Sequence, residues 1–244
     1  MASTDPLNQI IDRSLNYGRH LIRRFLTTAN HPPMNVILDV GAGWGDDLLI
    51  AREQNRHAKL HAIEVHPEYQ EALKQKNIIV HSLNIERDMF PFADESVDVV
   101  IANQILEHVK ELFWVFHETT RVLRVGGTLI IGVPNLASLH NRILLALGRQ
   151  PTCIQNHTAH VRSYTKNDIL KFLKICFPDG YTLKDYGGSN FYPFPPLLAK
   201  PLASMFPTMA WGIFLMVRKE KKYTKEFLTQ PVSERLETNF YLGK

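Results

Sequence analysis

Val36-Ile37-Leu38-Asp39-Val40-Gly41-Ala42-Gly43-Trp44-Gly45-Asp46-Asp47 is the stretch on which the reading of this chain turns. Its first five residues form a short apolar run broken only by Asp39, as expected of a parallel strand buried on both faces. Glycines at alternate positions follow at once, where the backbone must turn sharply into a helix and can approach a ligand closely. A dinucleotide fingerprint needs its third glycine or alanine at position 46, and this chain has Asp46. A pyrophosphate would meet Asp46 and Asp47 in the first helical turn, where like charge opposes binding. A cationic ligand without phosphate suits that turn. Nineteen residues past Gly45, Glu64 closes a second apolar run, where a carboxylate can accept from both hydroxyls of a ribose.

Outward from this point strands and helices alternate. The apolar runs predict strands at Leu60 to Val65, Ile78 to Ser82, Val97 to Ala102 and Thr128 to Val133, with helices at Pro67 to Gln75 and Lys110 to Leu123. Gly126-Gly127 is expected to end the second of those helices. Before the glycine loop, Ile10, Ile11, Leu15, Leu21, Ile22, Phe25 and Leu26 follow helical spacing behind Pro6, until His31, Pro32 and Pro33 break it. After Pro134 the pattern predicts helices at Leu136 to Leu147 and Lys166 to Phe172, and strands at Tyr181 to Tyr186 and Trp211 to Arg218. Such alternation requires crossover connections and a doubly wound, mostly parallel α/β sheet covered on both faces. Six of the fourteen prolines lie between Pro178 and Pro207, which predicts a fixed, irregular cover over the acceptor site.

Five stretches together resemble the class I S-adenosylmethionine-dependent methyltransferases, in particular the ubiquinone/menaquinone-type group. They are Val36 to Gly45; Glu64; Phe90-Pro91-Phe92-Ala93-Asp94-Glu95-Ser96-Val97-Asp98-Val99-Val100; Leu106-Glu107-His108-Val109; and Arg121-Val122-Leu123-Arg124-Val125-Gly126-Gly127. The resemblance runs from Val36 to Pro134 and more weakly to Arg218. It implies a Rossmann-like, seven-stranded sheet with an antiparallel last strand, and S-adenosylmethionine as cofactor with S-adenosylhomocysteine as product. It also implies that Asp39, Gly41, Ala42, Gly43 and Gly45 form the cradle for the methionine part, and that Glu64 holds the ribose. Asn84 stands where the family has an aspartate at the adenine amine; its amide oxygen can still accept. Ile85 accompanies Asn84, and Asn103 and Gln104 follow the fourth strand at the carboxyl edge where open sheets bind ligands.

Transfer from a sulfonium is an in-line displacement, so the protein aligns the acceptor and takes up a proton when a hydroxyl is methylated. His108, Asn135, His157, His160 and Arg162 are the polar residues expected beyond the fourth and fifth strands. His160, in His157-Thr158-Ala159-His160-Val161-Arg162-Ser163-Tyr164-Thr165, is the preferred base, with His108 second. The bland reading of His160 is a ring bonded to the loop backbone before a helix capped by Thr165 and Asp168. No two histidines share a helical face at ligand spacing, so no metal ligands are assigned; the paired histidines with acids nearby, and the divalent ion that some related enzymes with catechol-like acceptors use, leave a metal as the alternative.

The remaining composition narrows the class. At 45% hydrophobic and 21% charged the chain is an ordinary globular one. Of the net charge of +4, the segment Val217 to Lys244 carries seven Lys/Arg against four Asp/Glu, so the body is nearly neutral and nucleic acid is not favoured. Arg218, Lys219, Lys221, Lys222 and Lys225 read chiefly as a solvated chain end, with anionic lipid headgroups as the alternative. Cys153 and Cys176 have no bridge or zinc spacing and suit a reducing cytoplasm, peripheral contact with the inner membrane face being the variant. Met1 to Pro6 lacks the form of a secretory leader. The greasy stretch Phe191 to Val217 holds too many prolines to span a bilayer.

The expected organisation is a helical cap over 1–34, a methyltransferase domain over 35–218 with a Pro-rich cover at 189–210, and a basic tail over 219–244. The expected function is O-methylation of a small-molecule or lipid- or glycan-linked acceptor; the aromatic cover of Phe191, Tyr192, Phe194, Phe206 and Trp211 motivates the apolar acceptor. The alternatives are C- or N-methylation of a quinone-like molecule, a protein that binds the cofactor without turnover, and a nucleotide-binding oxidoreductase.

Overall fold

The computed structural model describes residues 12–28 and 34–240. The helical spacing assigned to Pro6, Ile10 and Ile11, the reading of Met1 to Pro6 and the break at His31 to Pro33 lie outside the described residues.

Seven strands form one sheet in the order β3-β2-β1-β4-β5-β7-β6. They are β1 (Val36–Val40), β2 (Lys59–Ile63), β3 (Ile79–His81), β4 (Val97–Asn103), β5 (Leu123–Pro134), β6 (Tyr181–Ser189) and β7 (Gly212–Lys219). β1 pairs in parallel with both β2 and β4, placing Asp39 between Ala62 and Ile101. β7 alone runs antiparallel, wedged between β5 and β6. The expected doubly wound, Rossmann-like sheet with an antiparallel last strand is the one observed.

Alternation along the strands divides the core. Leu38, Val40, Val100, Ala102, Ile131 and Leu215 face one layer, which holds α4 (Leu112–Val122), α6 (Lys166–Cys176) and α8 (Glu226–Ser233). Ile37, Val99, Ile101, Ile130 and Phe214 face the other, with Leu21, Ile22, Phe25 and Leu26 of α1 (Arg19–Thr27) and Leu48 and Ala51 of α2 (Asp46–Gln54). α1 is therefore a layer of the core as well as a cap. Asp98 braces the base of β1: its carboxylate accepts from the Asn35 and Val36 N–H groups, each at 2.8 Å, and pairs with Arg124 at 2.6 Å.

Three expectations are corrected. The helix α4 ends at Val122, one residue before the expected Leu123, but the glycines do not stop it: the strand expected from Thr128 begins at Leu123, and Gly126-Gly127 lie inside β5. The orphan carbonyls of that helix end are met by Lys219, whose Nζ donates to Thr120 O at 2.9 Å and Leu123 O at 2.7 Å. Secondly, the Pro-rich cover is not wholly irregular. It contains α7 (Pro196–Met205), with Pro196 in the first turn where its missing N–H costs nothing. Thirdly, the basic run is not a free tail. Lys219 is fully buried, Arg218 and Lys221 lie near Glu220 and Glu226, and Tyr223 and Phe227 pack in the core beside α4 and α6. The register Thr128↔Arg218 puts the run at the sheet edge opposite the carboxyl ends of the parallel strands. The remaining helices, α3 (Pro67–Gln75) and α5 (Leu139–Ala146), flank β3 and follow β5.

Candidate active site

The carboxyl ends of β1, β2 and β4 open onto a cleft of about 620 Å³ lined by Gly41, Gly43, Glu64, Tyr69, Asn84, Ile85, Gln104, Ile105 and His108, among others. Gly41, Gly43 and Gly45 all have positive φ (75°, 51° and 77°), which explains why the loop is spelled with glycine. A Cβ on Gly41 would strike Ile105 at 2.7 Å and one on Gly45 would strike Leu73 at 2.5 Å, whereas Gly43 faces open space. The backbone at Gly43 thus forms a floor that a ligand can lie against.

Glu64 fixes that floor. Its Oε2 accepts from Gly43 N–H at 2.9 Å, and its Oε1 accepts from Val65 and His66 N–H at 2.8 and 2.9 Å. A carboxylate offers about four acceptor sites, so one direction is left over after these three bonds.

Beneath the loop lies an acidic nest. Asp39 is buried, and burial, reinforced by Asp47 and Glu64, raises its carboxyl well above the usual range. Asp47 is pushed up to about 6, first by burial, against the pull of its hydrogen bond from Asn103 and of Arg19. Arg19, from the leading helix α1, pairs with Asp46 at 2.8 Å and approaches Asp47 at 3.7 Å. This nest favours a cation next to the loop.

The structure sorts the expected cofactor residues into two sets. Gly41, Gly43, Glu64, Asn84, Ile85 and Gln104 share the cleft wall. Asp39, Ala42, Gly45 and Asn103 are not among the cleft residues; they underlie or shape it. Asn103 turns inward, donating to Asp47 Oδ2 at 2.7 Å and Tyr17 O at 3.0 Å. The oxygen of Asn84 already accepts from Glu86 N–H at 2.9 Å in a local turn. Gln104 has φ 55° and carries a buried Nε2 with no partner, a donor well suited to a carboxylate in the cleft.

At the His108 end of the cleft the short turn Leu106–His108 meets the loop before α6. Val161 and Arg162 N–H both donate to Glu107 O, at 2.8 and 3.2 Å, and Arg162 clamps Val109 O and Lys110 O. His108 Nδ1 lies 3.3 Å from Ala159 O and His160 Nδ1 2.9 Å from Cys153 O. The two rings meet edge to face with centroids 4.8 Å apart. Burial lowers the His108 pKa, with His160 adding to the effect and the bond to Ala159 opposing it. Glu107 is 2% exposed, and burial raises its carboxyl to about 8. Thr165 caps α6 as expected, accepting from Asp168 N–H at 3.2 Å.

Other sequence candidates are structural. Asn135 is 1% exposed and donates to Thr208 O and Ala210 O, pinning the cover to the end of β5. Arg162 is a clamp, and His157 is exposed on the loop. Sequence reasoning missed Arg19, whose role depends on α1 lying over α2. It also missed Glu107, which stands beside His108 in the chain but meets His160 only through the fold.

Comparison with known proteins agrees with this geometry. Residues 38–131 match the methyltransferase domain family model. An arsenite methyltransferase of Halobacterium salinarum is 33% identical over 105 residues, 41% of this chain and 27% of that protein. The curated relatives matched share between 27% and 32% of their own length with this chain. Among solved structures, a Haloferax volcanii methyltransferase in complex with the Trm112 activator superposes with TM-score 0.60 at 13% identity, covering 89% of this chain and 94% of that one. A Burkholderia thailandensis 1,6-didemethyltoxoflavin-N1-methyltransferase, solved with S-adenosylhomocysteine, superposes with TM-score 0.55 at 14% identity over 84% and 80% of the two chains. At such identities the likeness is one of fold.

Proposed function

We propose that the chain, whose residues 38–131 match the methyltransferase domain family model, transfers a methyl group from S-adenosylmethionine to an oxygen of a small-molecule or lipid- or glycan-linked acceptor. The carrying observation is the Gly43 floor held by the Glu64 carboxylate at 2.9 Å, with the acidic nest of Asp39 and Asp47 below it. S-adenosylmethionine supplies a methyl on a positively charged sulfur, which leaves with the bonding pair as the acceptor's lone pair takes the methyl. The fit is chemical: the carboxylates suit the sulfonium and ammonium charges, the unpartnered Gln104 amide suits the methionine carboxylate, and the free direction of Glu64 suits a ribose hydroxyl.

The chain's own contribution is alignment and proton handling. His108 lines the cleft and touches His160, which supports setting the pair between cofactor and acceptor. A carbonyl only accepts, so the Nδ1 of His160 carries the proton toward Cys153 O and its Nε2 is the basic atom. On this reading His160 takes the acceptor's hydroxyl proton. Phe191, Phe194 and the α7 residues Ala199 and Leu202 pack on one another as a separate apolar cluster outside the cleft lining, so the apolar acceptor rests on the aromatic composition of the cover alone.

Calorimetry with S-adenosylmethionine, S-adenosylhomocysteine and NAD tests the first half: the two sulfur ligands are expected to bind and NAD is not. Transfer of a labelled methyl group to an extract of lipids and glycans tests the second. Cofactor binding without transfer to any acceptor would instead favour a binding protein.

A further inference from the structure

Glu107, His108 and His160 bring one ligand atom each to within 4.8 Å of one another. We propose that they form a binding site for one divalent first-row transition ion, such as zinc, at the acceptor end of the cleft. No short motif announces this set, because His160 lies fifty-two residues beyond His108 and reaches it only when the loop folds back onto Glu107 O.

Three independent features support a metal. Both histidines give Nδ1–H to a backbone carbonyl, Ala159 O and Cys153 O, which orients the rings and leaves each Nε2 with its lone pair outward. Metal-bound histidines are held in this way. Glu107 Oε2 is buried without any hydrogen-bond partner, an expensive position for a carboxylate that a cation would relieve. The donor set, two imidazoles and one carboxylate, matches borderline divalent ions and leaves coordination positions open. Bonds of about 2.0–2.2 Å require ligand atoms about 3–3.4 Å apart, so the widest pair needs to close by roughly 1.4–1.8 Å from the present 4.8 Å.

His108 also lines the cofactor cleft, so an open coordination position would face it. An acceptor oxygen bound there would be placed and made more acidic by the ion. That role rests on the proposed methyl transfer, whereas the binding site stands on its own geometry. With an ion bound, the Nε2 of His160 would be a ligand, and the proton of the more acidic hydroxyl would leave to solvent water.

The test titrates the full chain, stripped with EDTA, with Co²⁺, and follows visible absorption alongside calorimetry with Zn²⁺. One equivalent with ligand-field bands is expected. His108→Ala, His160→Ala and Glu107→Gln should each weaken binding at least about 100-fold, since even partners one shell further out are worth about 10–100-fold. His57→Ala, on an exposed histidine, should change nothing. Affinity for S-adenosylhomocysteine is measured on every variant: retained cofactor binding shows that the variant is folded and keeps this test separate from the methyl-transfer reading. A variant that fails both is replaced by its conservative counterpart, His160→Gln or His108→Gln. Absence of stoichiometric binding, or binding that all three variants leave intact, overturns the site.

Discussion

At Glu64 one carboxylate accepts from three backbone N–H groups, so on the proposed function its loss both loosens the floor and removes a contact to the ribose. Glu64→Ala is expected to weaken S-adenosylhomocysteine binding by about 1–3 kcal/mol, read by calorimetry; unchanged affinity would take Glu64 out of the ribose site. His160 lies away from that floor. His160→Ala is expected to slow turnover about 100-fold or more while leaving cofactor affinity intact, and wild-type rates would remove it from the chemistry. The positions of the glycines and Glu64 at the carboxyl ends of β1 and β2 were legible in the sequence because each is set by its own strand. The inward turn of Asn103 and the pinning role of Asn135 were not, since a side chain's direction depends on which distant backbone group arrives beside it.

Among the elements, α4 shows how a local signal can mislead. Gly126-Gly127 sits just past the apolar pattern, where a helix stop is expected, yet the chain is already extended at Leu123. The terminating contact comes from the far end of the sequence, where Lys219 on β7 donates to Thr120 O and Leu123 O. Lys219→Met keeps much of the apolar stem but strands both carbonyls in the core. Urea unfolding is expected to show a loss of about 1–3 kcal/mol with an unchanged slope. An undiminished midpoint would mean that water can replace the amine. Strand positions, in contrast, were read well, because a buried parallel strand writes its own apolar run and needs no partner to be recognised.

For the molecule as a whole, the pH response carries a contribution from the far edge of the sheet. His61 on β2 and His81 on β3 face each other at 3.0 Å, packed against Phe92. Burial, then the neighbouring His81 and Lys59, lowers the His61 pKa to about 4 from an ordinary 6.5. Below pH 6.5 the unfolded chain therefore takes up a proton that the folded chain refuses. The stabilisation from neutral His61 is present above that pH and is lost as pH falls toward 4. Thermal unfolding from pH 7 to pH 5 should consequently fall more steeply for the wild type than for His61→Gln; parallel slopes would deny the ring pair any share. Asp47, raised to about 6, works in the opposite sense, and comparing two proteins that both keep it cancels its effect.

The alternation of strands and helices made the sheet legible across its full width. The closing layer was not: the basic composition of 218–225 suggested solvent, whereas Lys219, Tyr223 and Phe227 are drawn inward by the open face left between α4 and α6.

The mutual stitching of the Leu106–His108 turn to the segment around 159–162 bears on attempts to retarget this protein. On the proposed function, grafting that segment from a homologue would move the base and the support of the turn in a single stroke, since the ring of His160 and the clamp of Arg162 travel together. A donor lacking Arg162 would lose the side-chain clamp on Val109 O and Lys110 O. Library design should accordingly hold these two positions constant and randomise only the intervening and flanking ones.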